Sequence, residues 1–236
     1  MKVATLVREY IDKLDDGSVF KYNDLKKISD NKIAIAKILS RLTKEEKINR
    51  LEKGVFYKAK KTRFGVLNPE IEEIIKSEVK NNRKITGYVS GAFSYNKLGL
   101  TTQIPNIIEV VTEKRKPNKI IGGIKIKYIQ GKVKLTKTNI GYLQILDALK
   151  NIKKISDSNI EKSYKILKEQ IKKLDNKKTL MELALEYPPQ TKALVGAILS
   201  EVTDLDLSCL EKSLNELTTF NLGIKEIKDK RRWHIK

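Results

Sequence analysis

Lys32, Lys37, Arg41 and Lys44 lie three to five residues apart, and Arg50, Lys53 and Lys58 follow in a short segment that turns at Gly54. Ammonium and guanidinium groups in such a series do binding chemistry. They donate charge-assisted hydrogen bonds to phosphate oxygens and, from a helix seated in the major groove, to base edges. Covalent chemistry needs other constellations, and the sequence has none of them. It holds no Gly-rich phosphate loop ending in Gly-Lys-Ser/Thr, no nucleophile elbow and no paired metal ligands. Ser90-Gly91 is not followed by the Asp-x-Asp pair that a nucleotidyltransferase needs for its metals. Cys209 is the only cysteine and His234 the only histidine, which excludes a disulfide framework and a Cys/His zinc site within one chain. The expected roles of the remaining candidates are structural: Cys209 a buried, inert thiol, His234 a solvated residue of the tail, Asp204 and Asp206 caps for the helix that begins near "LSCLEKSL". The expectation is a protein that is not an enzyme and uses no cofactor or metal.

The cations need elements that hold them outward. Val3, Leu6, Val7, Tyr10, Ile11 and Leu14 recur at helical steps and stop before Asp16-Gly17. An extended Ser18–Lys21 follows, then a short helix that Asn23 can cap, with Leu25 and Ile28 inward. Ser29-Asp30-Asn31 supplies capping oxygens for a third helix whose buried stripe is Ile35, Ile38, Leu39 and Leu42, leaving the lysines and Arg41 on or near the other face. Ile48–Leu51 and Val55–Lys58 then flank Glu52-Lys53-Gly54 as a hairpin. Helix, strand, helix, turn, helix, hairpin is the order of a winged helix-turn-helix, in which a helix enters the major groove and the wing reaches the neighbouring backbone. Residues 1–66 carry 17 Lys/Arg against 9 Asp/Glu, a net charge of +8. Phosphates opposite these lysines are one reading. The other is a winged helix that makes protein contacts and whose basic face is merely solvated.

Leu67-Asn68-Pro69 marks the expected boundary between a domain at 1–66 and a second at 67–236. Pro69 can open a helix over Glu70–Lys80. Thr86–Ile108 contains a single charge, Lys97, in a chain that is 33% charged; such a stretch is either core or an uncharged recognition surface. Ile107–Thr112 and Gly123–Gln130 read as strands, and from Thr138 onward the pattern is helical. The fold class expected is α+β, mostly helical, with a small sheet in the second domain.

The whole chain has 236 residues with 49 Lys/Arg against 29 Asp/Glu, net +20, which favours an anionic partner, nucleic acid first. A coding sequence rich in A and T also enriches Lys, Ile and Asn, so part of this excess has a genomic origin. The longest strongly apolar run, Ala193–Leu199, is far shorter than the roughly 20 residues of a membrane span, and the expected location is the cytoplasm, with no membrane partner.

"YVSGAFSYNKLGLTTQIPNIIEVVT", "YPPQTKALVGAILSEV" and "LNELTTFNLGI", on a chain with an N-terminal winged helix, resemble the AbiEi-type antitoxins of bacterial abortive-infection systems, and more closely a variant family found beside such systems. The resemblance covers almost the whole chain. It implies a repressor of its own operon, bound to double-stranded operator DNA through the first domain. It also implies that the second domain counters a neighbouring nucleotidyltransferase toxin without forming a stable complex. The positions matching the family's recognition helix and wing are Lys32, Lys37, Arg41, Lys44, Arg50 and Lys53; Lys58, on the second strand of the hairpin, joins them as a candidate DNA contact. Tyr95, Asn96 and Gln103, polar groups in the uncharged segment, are candidates for antitoxin function, with core hydrogen bonding as their other reading. The alternative function is a winged-helix adaptor that binds a protein or RNA and whose charge is incidental.

Overall fold

Val7 and Ile11, one turn apart and buried, anchor α1 (Val3–Asp12). The chain turns at Gly17, whose φ of +86° suits glycine, into β1 (Val19–Lys21), α2 (Tyr22–Leu25), α3 (Lys32–Lys44) and the hairpin β2 (Ile48–Glu52) and β3 (Val55–Lys58). Lys21, rather than the expected Asn23, caps α2: its N–H is held by the Asp24 carboxylate at 2.7 Å. The cause is the sheet, because Phe20 and Lys21 are still paired with Phe56 and Val55, so the strand passes directly into the helix. Asn31 does cap α3, accepting the Ala34 N–H at 2.9 Å. The three strands pair antiparallel in the order β1-β3-β2, with a bulge between Arg50 and Glu52. Behind them lies a core of Val7, Ile11, Phe20, Leu25, Ile35, Leu39, Leu42 and Ile48. The Phe20 ring stacks on Phe56 at 5.8 Å.

A small hairpin, β4 (Lys60–Thr62) and β5 (Gly65–Leu67), leads to α4 (Ile71–Val79) and to β6 (Lys80–Asn81) and β7 (Lys84–Ile85). β8 (Gly87–Ser90) enters α5 (Gly91–Lys97); β9 (Ile107–Thr112), β10 (Lys119–Ile121) and β11 (Ile124–Gln130) follow. The remainder is helical: α6 (Ile140–Lys150), a single 3-10 turn at Ile152–Lys154, α7 (Ile160–Lys172), α8 (Lys177–Ala184), α9 (Pro189–Val202) and α10 (Ser208–Glu211). This computed structural model describes residues 3–63, 65–81 and 84–236, and over those residues the fold is α+β, with ten α-helices and small sheets.

The chain divides into two compact units, one comprising residues up to Gly87 together with Pro117–Lys127, the other Tyr88–Lys116 and Tyr128–Lys236. The first unit therefore extends past the boundary expected at residues 66–67 and includes a hairpin from much later in the sequence. Burial explains this. α4 packs against β1 and buries Ile74, and the Lys21 ammonium donates to the Ser77 carbonyl at 2.6 Å. β10 pairs antiparallel with the start of β11, Lys119 opposite Ile126 and Ile121 opposite Ile124, and Ile121 and Ile126 are buried.

In the second unit β9 lies beside β8. Its helical part is organised around α9, whose run Ala193–Leu199 is wholly buried and which α6, α7, α8 and α10 all contact. The indole of Trp233 lies against Gly196, where a methyl group would overlap the ring, and donates to the Ser200 hydroxyl at 2.9 Å. The basic C-terminal segment is thus packed rather than a solvated tail: Phe220 and Ile235 form a β-bridge, and His234 Nδ1 lies 3.1 Å from the Asn215 carbonyl. Cys209 is exposed, against the expectation of a buried thiol, because Leu207 and Leu210 take the inward positions of α10. The N-cap of α10 is Leu207 rather than an aspartate; Asp206, one residue earlier, accepts the Ser208 N–H of the first turn at 2.9 Å.

Candidate nucleic-acid interface

The first unit carries a cleft of about 760 Å³. Ala36, Leu39, Ser40, Thr43 and Lys44 of α3 form one wall, and Arg50 with Glu52 to Phe56 of the β2–β3 hairpin form another. Tyr22, Asn23, Lys21 and Lys119 complete it, so that five cations and one carboxylate, Glu52, line the space. The sequence positions the walls in an elementary way. Ile35, Leu39 and Leu42 bury one face of α3, so Lys32, Ile33, Ala36, Lys37, Ser40, Arg41 and Lys44 must point outward, and all are exposed. Ile33, an apolar residue among these cations, is 70% exposed.

The seven expected DNA-contact residues divide by what else they touch. Lys32, Lys37 and Lys44 are exposed on α3. Arg41 is exposed and makes a surface ion pair with Glu45 at 2.9 Å, within one helical turn. Arg50 donates its Nε–H to the Glu52 carbonyl at 3.1 Å, within the β2–β3 hairpin, and Lys53 is exposed at the turn beside Gly54, whose φ is +78°. Lys58 differs from the rest. Its ammonium donates to the Leu14 carbonyl at 2.7 Å and the Asp12 carbonyl at 3.3 Å and pairs with Asp16 at 3.3 Å. It closes the C-terminal end of α1, where carbonyls lack helical partners, and does not line the cleft.

Behind the cleft is a cluster that sequence reasoning did not anticipate. Glu78 on α4 is 3% exposed, and one of its oxygens is approached by Lys21 at 2.9 Å and Lys119 at 3.0 Å. Lys119 also reaches Glu52 at 3.3 Å.

The second unit has a cavity of about 410 Å³ whose apolar walls include Val111, Ile129, Val133, Leu135 and Leu143 and whose polar groups include Asp147, Tyr88 and Tyr187. The Asp147 carboxylate accepts hydroxyl hydrogen bonds from Ser90 at 2.6 Å, Tyr88 at 2.9 Å and Tyr187 at 2.9 Å. Burial raises its pKa above the ordinary aspartate value, and the three hydroxyl donors and the Lys150 charge oppose that rise. Burial likewise pushes the phenols of Tyr88 and Tyr187 upward, so both remain donors at neutral pH. Sequence reasoning missed this group, although Asp147 is the one acid in the apolar helix "IGYLQILDALK".

The three residues singled out in the uncharged segment also separate. Tyr95 is buried; its hydroxyl donates to the Asp147 carbonyl at 3.2 Å and accepts from Asn151 at 2.9 Å, and burial raises its pKa to about 12. Asn96 ties down the following loop through the carbonyls of Thr101 and Gln103 at 3.2 and 3.3 Å. Gln103 is exposed and bonds Asp157 at 2.7 Å, next to Ile104, which is 81% exposed.

Among the described residues no group of three or more His, Cys, Asp or Glu side chains is placed to hold a metal ion, and no helix is long and apolar enough to cross a membrane. A search of curated proteins returns no match. Among solved structures, the crystal structure of the RV2827C protein from Mycobacterium tuberculosis aligns over 93% of this chain and 84% of its own, with a TM-score of 0.52 and 11% sequence identity. That similarity concerns the fold alone. The model of a family of unknown function, DUF6088, matches residues 6–174, and the chain belongs to that family.

Proposed function

We propose that this protein is a DNA-binding repressor of its own operon and an antitoxin of a bacterial abortive-infection system, acting in the cytoplasm by binding rather than by catalysis. In this reading residues 3–58 work as a winged helix-turn-helix. α3 enters the major groove of operator DNA, and Lys53 at the turn of the wing meets the phosphate backbone. The second unit counters a nucleotidyltransferase toxin without a stable complex. Gln103 is its accessible contact residue, and Tyr95 and Asn96 hold the loop that presents it. The observation that carries the DNA reading is the outer face of α3. It offers Lys32, Lys37, Arg41 and Lys44 opposite a fully buried stripe, and Lys44 shares one cleft with Arg50 and Lys53. Ile33 and Ala36 on that face present methyl groups of the kind that contact thymine.

The test is a titration of the full chain with a duplex of the DNA immediately upstream of its gene. Replacing Lys37 and Arg41 together by Ala is expected to weaken binding by roughly 2–4 kcal/mol, two charged contacts at about 1–3 each. Affinity is expected to fall steeply with salt, since each neutralised phosphate releases a counterion. Equal affinity of parent and variant would remove α3 from the groove. The antitoxin arm is tested by co-expression with the neighbouring gene product: Gln103→Ala is expected to abolish growth rescue without lowering the melting temperature.

A further inference from the structure

The DNA-binding unit is not complete at the end of the wing. We infer that the β10–β11 hairpin, about sixty residues further along the chain, is a working part of it, with Lys119 as the positioning residue that fixes the wing and sets the charge of the cleft. This rests on the DNA reading of the same cleft.

Three observations meet at the hairpin. Lys119 lines the cleft together with Lys44, Arg50 and Lys53. Its ammonium bridges two carboxylates, Glu52 at the last position of the wing strand β2 and Glu78 on α4, at 3.3 and 3.0 Å. The turn that joins β10 to β11 is seated on the same strand: a Cβ on Gly122 would stand 3.1 Å from Leu51 Cδ2 and 3.4 Å from Ile74 Cδ1, and its φ is +54°. Leu51 is the residue bulged out between Arg50 and Glu52. The hairpin therefore holds the wing at its bulge by packing and at its last strand residue by an ion pair.

The charge consequence follows from elementary electrostatics. Glu52 is the one carboxylate lining the cleft and would repel a phosphate. Glu78, nearly fully buried, needs cations close by or its charge is uncompensated in a poorly solvated place. Lys119 serves both. Because its ammonium is occupied by the two carboxylates, it acts on bound DNA through the position and charge of the wing and is not itself a phosphate contact.

The experiment uses the full chain and has two readouts. Hydrogen exchange at the amides of Ile48–Lys58 reports the brace without DNA. Titration with the upstream duplex over a series of salt concentrations reports its consequence. Lys119→Gln is expected to speed exchange in the wing and weaken binding by about threefold to tenfold, while the salt slope stays that of the parent. Lys119→Arg is expected to restore both. Glu52→Gln breaks the same ion pair from the other side, so it is expected to speed exchange in the wing as well, and combining it with Lys119→Gln is expected to speed wing exchange little beyond Lys119→Gln alone. Unchanged wing exchange in Lys119→Gln overturns the brace. A salt slope reduced by about one makes Lys119 a direct phosphate contact and overturns the positioning role. If Lys119→Gln fails to fold, Glu52→Gln decides: faster wing exchange supports the inference and unchanged exchange overturns it. If the parent itself shows no salt-dependent binding, the DNA reading fails, and wing exchange in the same variants still decides the brace.

Discussion

Glu78 in the first unit is 3% exposed and Asp147 in the second is 8% exposed, so each carboxylate has lost nearly all of its water. The first is met by two lysines, Lys21 and Lys119, at 2.9 and 3.0 Å. The second is met by three neutral hydroxyls, from Ser90, Tyr88 and Tyr187. Lys119 also reaches Glu52, so two ammonium groups balance two carboxylates, and the positive charge of the cleft beside them comes from Lys44, Arg50 and Lys53. Hydroxyls leave the negative charge in place and only solvate it, and burial accordingly raises the pKa of Asp147. The comparison teaches that the first unit exports positive charge to its surface while the second keeps its polar chemistry inside, among the helices of its core. A surface built this way suits a polyanion; an internal hydroxyl network fixes the packing of β8, α6 and the Tyr187 segment on one another.

The largest effect is expected from removing the buried acceptor. Asp147→Ala leaves three hydroxyls without their partner, two of them, Tyr88 and Ser90, nearly fully buried. It is expected to cost roughly 2–4 kcal/mol, the scale of hydrogen bonds to a charged group less the desolvation that the carboxylate no longer suffers. Calorimetry of the full chain should show the second unit melting several degrees lower, with affinity for the upstream duplex unchanged wherever the protein is folded. A transition that moves by less than about one degree would mean that the hydroxyls find other partners and the contrast with Glu78 is not energetic.

A smaller effect separates two lysines within the first unit. Lys58 has 24% of its side chain exposed and three internal partners, whereas Lys53 is exposed at the turn of the β2–β3 hairpin. Lys58→Met is expected to lower stability by about 1–2 kcal/mol, the cost of leaving the Leu14 and Asp12 carbonyls poorly satisfied, and to leave binding of the folded protein unchanged. Lys53→Ala is expected to do the reverse, leaving the melting temperature alone and reducing the salt slope of binding by about one for specific and random duplexes alike. If Lys58→Met weakens binding without a change in melting temperature, Lys58 belongs with the interface.

What could be read in the sequence tracks what is local. The stripes of α1 and α3, the Asn31 cap, the Gly54 turn and the strand at Ile107–Thr112 depend on neighbours a few residues away, and periodicity finds them. Lys58 was indistinguishable from Lys53 by residue type and spacing, because its partners at Asp12, Leu14 and Asp16 lie more than forty residues earlier. The Lys119 hairpin groups with the first compact unit although the sequence division puts it at 67–236, and nothing local signals this, because its partners Glu52 and Glu78 are distant in sequence. Asp147 offered a signal, a lone acid in an apolar helix, but its donors come from β8 and from Tyr187, on either side of it in the chain. Cys209 illustrates the limit of residue averages, since free cysteines are most often buried, yet the phase set by Leu207 and Leu210 turns this one to the surface.

The smallest expected effect is a pH dependence that belongs to the second unit alone. The Asp147 pKa in the folded chain is raised, first by burial, while in the unfolded chain it returns to about 3.9. Below that unfolded value both states are protonated and burial costs nothing for charge. As the pH climbs through the raised value, the folded state must ionise a desolvated group, and the stability that the protonated form enjoyed is lost. Asp147→Asn keeps an oxygen acceptor for the hydroxyls and cannot ionise. The stability of the parent relative to Asp147→Asn is therefore expected to fall as the pH rises from about 4, levelling above the folded pKa. Taking the difference between the two proteins cancels the titration of every other carboxylate, which would otherwise mask it. A difference that stays flat across this range would mean that the three hydroxyls and Lys150 fully offset burial, and a difference of opposite slope would place the folded pKa below 3.9 and make the hydroxyl network as effective a counterpart for a buried carboxylate as the two lysines at Glu78.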